Sequence, residues 1–313
     1  MARYTYDITI IGGGSGGLTA ARLGQSLGAR VCLIDKERLG GDCLHYGCVP
    51  SKSLIHVAKV AQQARHAAQI GLAAAELTPN MAKVTEYVQG VIERASLAEK
   101  TYTEGVDVRL GAFEFRGAHE FSLNGVPLSS QSFIVATGSR PVVPKVEGLA
   151  EAGFLSNEQA FDLMHLPKTL TVVGGGPIGV ELAQAFARLG AKVTIVQGAE
   201  RILPREEPEV AAAVAEALER DGISILTNAR MQRVRREGGQ KIVVAKQGEG
   251  DIEIAGDEIL IALGRAANVV GLGLDAAGVK YDKKGIKVDD YLQTATTNIS
   301  AIGDVIGRYL FSH

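Results

Sequence analysis

Short apolar runs, glycine-rich loops and helical segments follow one another at the start of the chain. Residues 7–11 are mostly apolar, residues 12–17 hold five glycines, and residues 18–28 place apolar side chains at helical spacing. A second apolar run, residues 31–34, ends on Asp35. Strand-length apolar runs joined by a tight loop and a helix are typical of a parallel β-α-β unit. We therefore predict strand, loop, helix and strand in this order.

The same order of segments returns in the middle of the chain. Residues 170–173 are apolar, residues 174–179 hold four glycines, and a helical pattern leads to a further apolar run at residues 192–196. Gln197 follows Gly179 by 18 residues, which is also the distance from Gly17 to Asp35. This internal duplication predicts an α/β fold made of two three-layer Rossmann-like domains.

Both loops carry glycines at the spacing Gly-x-Gly-x-x-Gly between a strand and a helix. The glycines are Gly12, Gly14 and Gly17 in the first loop and Gly174, Gly176 and Gly179 in the second. Glycine lets the backbone approach a pyrophosphate, and the following helix offers unpaired N–H groups. One such loop is a weak signal. Two loops with the same downstream spacing favour dinucleotide binding over a purely structural role of the glycines. Asp35 is placed to accept ribose hydroxyls, whereas Gln197 replaces the acid in the second copy.

Similar additions follow each β-α-β unit. Helical patterns cover residues 51–70 and 81–95, and we interpret the apolar stripe of the second as a core-facing helix. Short strands follow around the turns Asn124-Gly125 and Gly238-Gly239. The predicted domains are residues 1–148 plus 284–313 and residues 149–283.

Composition and charge exclude several classes of protein. Lys and Arg (33) nearly balance Asp and Glu (35), so the net charge of −2 indicates neither nucleic acid nor an anionic membrane as a partner. No apolar run reaches the ~18 residues of a membrane-spanning helix. Three cysteines are too few for a disulfide-stapled secreted scaffold, and the N-terminal residues lack a signal-peptide pattern, so we expect a cytoplasmic protein.

Two of the cysteines, Cys43 and Cys48, lie between the first β-α-β unit and the predicted helix that follows it. Five positions apart on one turn at a helix start, they can reach the ~5.5 Å Cα separation that a disulfide prefers. Pro50 suits the first turn of that helix. Two unrelated thiols, a structural disulfide and part of a zinc site with His45 are the alternatives; no second ligand cluster supports zinc, and we predict no metal site. Cys32, inside a strand, is interpreted as core.

The sequence resembles the flavin-dependent pyridine nucleotide–disulfide oxidoreductases, which include dihydrolipoamide dehydrogenase, glutathione reductase and mercuric reductase. The motifs that carry the resemblance are GGGSGG at 12–17, GGDCLHYGCVPSK at 40–52, ATGSRP at 136–141, GGGPIGVE at 174–181 and AIGDV at 301–305. The cysteine motif is the most specific of them. The resemblance extends over nearly the whole chain.

This resemblance implies two cofactors, FAD in the first domain and NAD or NADP in the second. The residues it places at FAD are Gly12, Gly14, Gly17, Asp35, Lys52, Thr137, Gly138 and Asp304. Those assigned to the nicotinamide nucleotide are Gly174, Gly176, Gly179, Gln197 and Gly264. Lys52 would lie near the reactive edge of the flavin, paired with Glu181. The implied catalytic residues are therefore Cys43, Cys48, Lys52 and Glu181.

The same resemblance implies a reaction. Hydride passes from the nicotinamide to the flavin, and the flavin reduces a Cys43–Cys48 disulfide. Cys48 lies beside the flavin, and Cys43 attacks a small disulfide; a metal ion is the other substrate class. An NADH oxidase or ferredoxin reductase built on the same folds would not need the cysteine pair. A flavin-binding redox sensor or assembly subunit without turnover is the non-enzymatic alternative.

Some features depart from the family pattern. Asp42, His45 and Tyr46 stand where the family usually has Thr, Asn and Val. Family members continue into a dimerisation domain with a His–Glu pair, whereas this sequence stops at His313. We therefore expect the sequence to be an incomplete piece of a homodimeric enzyme, with little disulfide turnover. Gln197 matches neither the NAD rule nor the NADP rule, so we expect weak discrimination between them.

Overall fold

The computed structural model describes residues 4–75, 77–308 and 310. The helices are α1 (Ser15–Ser26), α2 (Gly41–His45), α3 (Cys48–His66), α4 (Met81–Ser96), α5 (Glu99–Thr103), α6 (Leu149–Ala152), α7 (Asn157–Ala160), α8 (Pro177–Leu189) and α9 (Pro208–Arg220). Short 3-10 turns cover Ala67–Ile70 and Gly303–Ile306. His313 lies outside the described residues.

The strands of the described residues range from two to ten residues in length. They are β1 (Tyr6–Ile11), β2 (Val31–Asp35), β3 (Asp107–Leu110), β4 (Phe113–Phe115), β5 (Glu120–Leu123), β6 (Val126–Val135), β7 (Ser139–Pro141), β8 (Thr169–Val173), β9 (Lys192–Val196), β10 (Ser224–Leu226), β11 (Ala229–Glu237), β12 (Gln240–Gln247), β13 (Gly250–Gly256), β14 (Glu258–Ile261), β15 (Arg265–Ala267), β16 (Tyr281–Asp282), β17 (Gly285–Ile286) and β18 (Ile299–Ala301).

The chain forms two compact units, each described by itself. The first unit comprises the described residues of Met1–Val49, Ile92–Arg140 and Arg265–His313. Its sheet has the order β3-β2-β1-β6-β5-β4, and β18 also pairs with β6. The strands β3, β2, β1, β6 and β18 are parallel, whereas β4 and β5 continue from β6 as an antiparallel ribbon.

Two apolar layers stabilise the first unit. On one face, Ile10 and Leu33 of the sheet pack with Leu18 and Ala21 of α1. The other cluster contains four buried phenylalanines, Phe113, Phe115, Phe121 and Phe133, whose rings meet edge-on or stacked. Burial of large aromatic side chains contributes most to a core of this kind. The carboxyl ends of β1 and β6 are thereby held together, and this edge carries the glycine loop.

The second unit comprises Pro50–Val91 and Pro141–Gly264, with Glu76 outside the described residues. Its parallel sheet has the order β10-β9-β8-β14, and β11, β12 and β13 form a separate antiparallel sheet. Val173, Val196 and Ile261 of the parallel sheet pack with Val234 and Val243 of the antiparallel one. The apolar runs predicted as strands are therefore buried strands.

The prediction of a mixed α/β protein with two Rossmann-like domains, the first discontinuous, is confirmed. α1 begins at Ser15, directly after its N-cap Gly14, and this is three residues before the predicted start. The unit boundaries differ from the predicted domain ranges: residues 50–91 and 141–148 group with the second unit, and residues 265–283 with the first. Which unit holds which cofactor stays a prediction.

Candidate functional site

The first glycine loop joins the end of β1 to α1. Gly12 has a positive φ of 106°, and a Cβ built there would overlap the carbonyl oxygen of Ala136 at the end of β6. A Cβ at Gly17 would overlap the carbonyl oxygen of Gly12. The nearest atom to a Cβ at Gly14 is instead the Gly41 Cα, at 3.8 Å. The fold itself therefore requires glycine at the first and third positions, whereas the middle position leaves open space.

The second glycine loop repeats this arrangement. Gly174 has a φ of 112°, and its Cβ would overlap the carbonyl oxygen of Ala262. A Cβ at Gly179 would overlap the Gly174 carbonyl oxygen, while a Cβ at Gly176 meets none of the described atoms within 4 Å. Because the middle glycine is open in both copies, its lack of a side chain serves something other than the packing of the chain.

The open glycines are the N-caps of two full-length helices. Gly14 caps α1 and Gly176 caps α8, and neither helix has a side-chain cap or an acidic residue in its first turn. The first N–H groups of a helix need acceptors, and they carry the positive end of the helix dipole. An anion such as a pyrophosphate is the ligand that suits such an end. Both loops therefore fit the pyrophosphate of a dinucleotide.

Asp35 and Gln197 occupy matching positions and contact the loops directly. The Asp35 carboxylate accepts the N–H of Gly13 at 2.7 Å, and Gln197 Oε1 accepts the N–H of Gly175 at 3.0 Å. Gln197 also donates from Nε2 to the carbonyl oxygen of Arg201 at 3.1 Å. This loop-holding contact was not predicted, although the equal spacing of Asp35 and Gln197 from their loops was a signal for it. The contribution of either residue to ribose binding stays a prediction.

Three further residues assigned to FAD lie in the first unit. The Thr137 hydroxyl donates to the carbonyl oxygen of Asn268 at 2.8 Å, and Gly138 follows with a φ of 66°. Asp304 Oδ2 accepts the Ser139 hydroxyl at 2.5 Å. Its other oxygen has no hydrogen-bond partner among the residues that the structure describes, so it can accept from a ligand hydroxyl. Gly264, in the second unit, has a φ of 105° and open space at its Cα.

The cysteine pair lies on two successive helices. Cys43 is in α2 and Cys48 begins α3, so the prediction that both share one helix turn is wrong. Gly47, a residue with poor helix propensity, separates the two helices. The cysteines are nevertheless in contact as thiols, because the Cys43 side chain hydrogen-bonds that of Cys48. The predicted proximity of the two sulfurs is therefore present in the structure.

Burial determines the acidity of Cys43. Burial, as the largest cause, and the hydrogen bond to Cys48 together raise the pKa of this thiol to about 11. Both effects favour the neutral thiol. Cys32 is completely buried in β2, and burial raises its pKa to about 12, as suits an unreactive core residue.

We expect the alkylation rate of Cys43 to keep rising with pH up to about pH 10, because only the thiolate reacts and its pKa is about 11. A thiol with an ordinary pKa of about 8.5 levels off above pH 9. The measurement is iodoacetamide labelling followed by mass spectrometry. In Cys48→Ala the profile should move to lower pH, since one of the raising contacts is lost. A plateau near pH 8 in the unmodified chain would contradict this prediction.

In the second unit, Lys52 of α3 forms an ion pair with Glu181 of α8, the pairing that the family resemblance implies. Asp221 joins the same two helices: it accepts from Gln62 at 2.5 Å, Gln184 at 2.8 Å and Arg188 at 2.9 Å. Glu181, Gln184 and Arg188 lie at helical spacing on one face of α8. These contacts fix the two helices against each other and so hold the ion pair in place.

The remaining departures from the family pattern have partners close by. His45 Nε2 lies 2.7 Å from the Leu39 carbonyl oxygen, and burial lowers the pKa of its ring. Arg38 donates to the Tyr46 hydroxyl at 2.6 Å.

Among the described residues no cluster of His, Cys, Asp or Glu could hold a metal ion. No helix in the described ranges is long and apolar enough to cross a membrane.

Two Rossmann-like units with open glycine loops, one of them carrying a dithiol, define an oxidoreductase that works with two dinucleotides. The sequence profile of the pyridine nucleotide-disulphide oxidoreductases matches residues 6–312, and the chain belongs to this family. FAD and a pyridine nucleotide, NAD or NADP, are the cofactors of the family, and the chain has a loop that fits each of them.

The chain is also similar to individual proteins of this kind. The chain is 36% identical over 315 residues to a dihydrolipoyl dehydrogenase of Acholeplasma laidlawii, covering 98% of this chain and 92% of that one. It is 33% identical over 306 residues to a mercuric reductase of Staphylococcus aureus, of which it spans just over half, 56%. The solved structure of the HOCl-induced flavoprotein disulfide reductase RclA of Escherichia coli matches with a TM-score of 0.85 and 30% identity, covering 98% of this chain and 67% of that chain.

Proposed function

We propose that this chain takes two electrons from NADH or NADPH and passes them, through FAD, to a disulfide between Cys43 and Cys48. From this pair the electrons go to a small disulfide or to a metal ion. The observation that carries the proposal is the contact between the two thiols in a unit that also has an open Gly14 loop. A dithiol of this kind has no use in an oxidase that passes electrons straight to oxygen.

The proposed reaction has two halves. In the first, NAD(P)H and one proton are consumed, the Cys43–Cys48 bond breaks, and NAD(P)⁺ and two thiols form. In the second, the two thiols give two electrons and two protons to a substrate disulfide, which leaves as two thiols, and the Cys43–Cys48 bond forms again. Such an exchange passes through a mixed disulfide after attack by a thiolate.

The residues of the chain have separate parts in this proposal. Gly14 and the first N–H groups of α1 hold the pyrophosphate of FAD, and the open oxygen of Asp304 accepts a hydroxyl of the same cofactor. Gly176 and α8 hold the nicotinamide nucleotide in the same way. FAD, when bound, supplies the two-electron relay between nicotinamide and dithiol.

The dithiol and the ion pair complete the proposed machinery. Glu181 fixes the ammonium group of Lys52, which keeps a positive charge at one place on α3. Cys43, the proposed nucleophile, holds its proton because the pKa of its thiol is raised to about 11. Attack on a substrate disulfide therefore requires that the proton first leaves Cys43, because only the thiolate is nucleophilic.

The substrate proposal comes from the relatives. Dihydrolipoyl dehydrogenases and mercuric reductases are similar over nearly the whole of this chain, so lipoyl-type disulfides and mercuric ions are the proposed substrate classes. The test is a stoichiometric discharge in which the FAD-loaded chain receives one equivalent of NAD(P)H and one of oxidised lipoamide or Hg(II). In the unmodified chain the true acceptor should be reduced, one molecule per NAD(P)H, which is measured as dihydrolipoamide thiols or as elemental mercury. In Cys43→Ser the flavin should take up the electrons of NAD(P)H without passing them to the acceptor. Equal reduction of the acceptor in both chains would refute the proposed role of the dithiol.

For the nicotinamide nucleotide we expect NADH and NADPH to reduce the bound flavin at rates within about tenfold, or roughly 1.4 kcal/mol. Gln197 carries no charge to exclude a 2′-phosphate, and Arg201 donates to Glu200 at 2.7 Å, which offsets its attraction for that phosphate. Glu200→Gln should therefore favour NADPH, and Arg201→Ala should weaken NADPH more than NADH. The measurement is anaerobic flavin bleaching at varied nucleotide concentration. A preference above about a hundredfold in the unmodified chain would show that other residues set the choice.

A further inference from the structure

Asp42, the residue before Cys43, contacts the turn between the two cysteines at several points. Its carbonyl oxygen accepts the N–H of Tyr46 at 2.8 Å. A Cβ built at Gly47 would lie 3.0 Å from Asp42 Oδ2 and 3.2 Å from the Cys43 Cα. Asp42 therefore packs against the short connection that leads from Cys43 to Cys48. Its carboxylate also favours the neutral form of Cys43, adding to the raised pKa of that thiol.

The other carboxylate oxygen of Asp42 is held by a buried cation. Asp42 Oδ1 lies 2.8 Å from Arg265 Nη2, and the Arg265 side chain is only 7% exposed. Arg265 also donates to the Ser139 hydroxyl at 2.7 Å and to the Ser139 carbonyl oxygen at 3.0 Å. Its Nε lies 3.8 Å from Asp304 Oδ2. All of these residues belong to the first unit.

This network ties three segments together: α2 with Cys43, β7 with Ser139, and the 3-10 turn with Asp304. A buried guanidinium in a fixed fork geometry holds its partners more rigidly than an exposed pair does. Asp42 is also a departure from the family pattern, which usually has Thr here. A threonine offers no charge to Arg265, so the link from Arg265 to the cysteine turn belongs to this chain rather than to the family pattern.

We propose that Asp42 is a positioning residue for the dithiol: held by Arg265, it fixes the turn between Cys43 and Cys48 and so sets how readily the two thiols close to a disulfide. This proposal rests on the redox role proposed for the pair. The closing step is balanced by an external disulfide: two thiols of the chain and one glutathione disulfide give the Cys43–Cys48 bond and two glutathione thiols. The second attack is intramolecular, and a turn that holds both sulfurs in contact raises the effective concentration of the attacking thiol and so favours closure.

The test is the equilibrium of the FAD-loaded chain with glutathione buffers, followed by acid quenching, alkylation and mass spectrometry of the two cysteines. Asp42→Asn keeps the shape of the side chain and loses its charge; Asp42→Thr introduces the residue that family members usually carry and protects the test against misfolding. Both should lower the equilibrium constant for disulfide formation by about tenfold, an estimate for a loosened intramolecular step. Asp7→Asn is the matched control, since Asp7 pairs with Arg30 on the exposed surface of the same unit.

Arg265→Lys identifies the route of the effect. This variant keeps the positive charge but loses the forked N–H donors of the guanidinium group. It should therefore shift the equilibrium of disulfide formation in the same direction as Asp42→Asn. The double variant should shift it no further than the larger single change, because both break one link. The charge of Asp42 also predicts that alkylation of Cys43 moves to lower pH in Asp42→Asn than in Arg265→Lys, which keeps that charge.

The outcomes separate this proposal from the proposed function. Equilibrium constants of Asp42→Asn and Asp42→Thr within twofold of the unmodified chain would overturn the positioning role while leaving the redox role intact. Failure of the unmodified chain to form a Cys43–Cys48 disulfide in any glutathione buffer would overturn the redox role itself. A lower constant in both variants, with Asp7→Asn unchanged, supports the proposal.

Discussion

Gly14→Ala should yield a folded chain that binds FAD roughly tenfold to a hundredfold more weakly, whereas Gly17→Ala should fail to fold stably. A methyl group at Gly14 enters open space, 3.8 Å from its nearest neighbour, and the φ of −77° suits alanine. It then occupies the space that a pyrophosphate needs, and overpacking of this size costs about 1–3 kcal/mol. At Gly17 the methyl group would overlap the Gly12 carbonyl oxygen, which cannot move without breaking the loop.

The measurements for this pair are thermal unfolding of the FAD-free chains and fluorescence titration with FAD. Gly176→Ala is the matched control: its Cβ also enters open space, so it should weaken the nicotinamide nucleotide and leave FAD binding unchanged. Unaltered FAD affinity in Gly14→Ala would show that the first loop does not hold the pyrophosphate. Stable folding of Gly17→Ala would show that the third glycine is not required by packing.

Cys48→Ser should abolish the long-wavelength absorbance band that two-electron reduction gives in the unmodified chain, whereas Cys43→Ser should keep it. The band requires a thiolate against the flavin, and the resemblance to the family assigns that place to Cys48. Burial and the contact with Cys48 raise the pKa of Cys43, so Cys43 keeps its proton and is the poorer donor of charge. The measurement is anaerobic dithionite titration followed by absorbance.

The two serine variants control each other, because each keeps one sulfur and the same helix geometry. Loss of the band in both, or its retention in both, would contradict the separate roles of the two cysteines. Both variants should bind FAD as tightly as the unmodified chain.

Sequence patterns predicted the features that depend on neighbouring residues. The order of strand, glycine loop and helix appears twice because each requirement is local: a steric demand at Gly12 and Gly17, an apolar run for β1, a helix start after Gly14. The second copy repeats these demands at Gly174 and Gly179. A duplicated pattern with the same spacing therefore specified both Rossmann-like units.

Contacts between distant segments were not predictable in this way. Asp35 and Gln197 were assigned to ribose, and the structure shows that both also hold the glycine loops, 22 residues away in each copy. The Arg265 link to Asp42 joins residues from opposite ends of the chain. Such pairings depend on how the elements pack, and no local periodicity records them.

The break between α2 and α3 was missed for a similar reason. The segment from Cys43 to Pro50 reads as the start of a single helix, and the one glycine within it, Gly47, is a weak signal against continuation. α2 ends at His45, with the Tyr46 N–H bonded to the Asp42 carbonyl oxygen, and Gly47, which packs closely against Asp42, lies between α2 and α3. The positions of the cysteines were therefore right, but the local structure that brings them together was not.

The most direct measurement is a count of cysteine thiols before and after NAD(P)H is added. The FAD-loaded chain is oxidised, given a small excess of NADH or NADPH without oxygen, quenched in acid, alkylated in denaturant and analysed by mass spectrometry. Cys32, buried in β2, should be alkylated equally in both samples and serves as the internal constant. We expect Cys43 and Cys48 to become alkylated only after reduction, close to two thiols per chain. Oxidation of NAD(P)H with the Cys43–Cys48 pair unchanged would contradict the proposed path of the electrons.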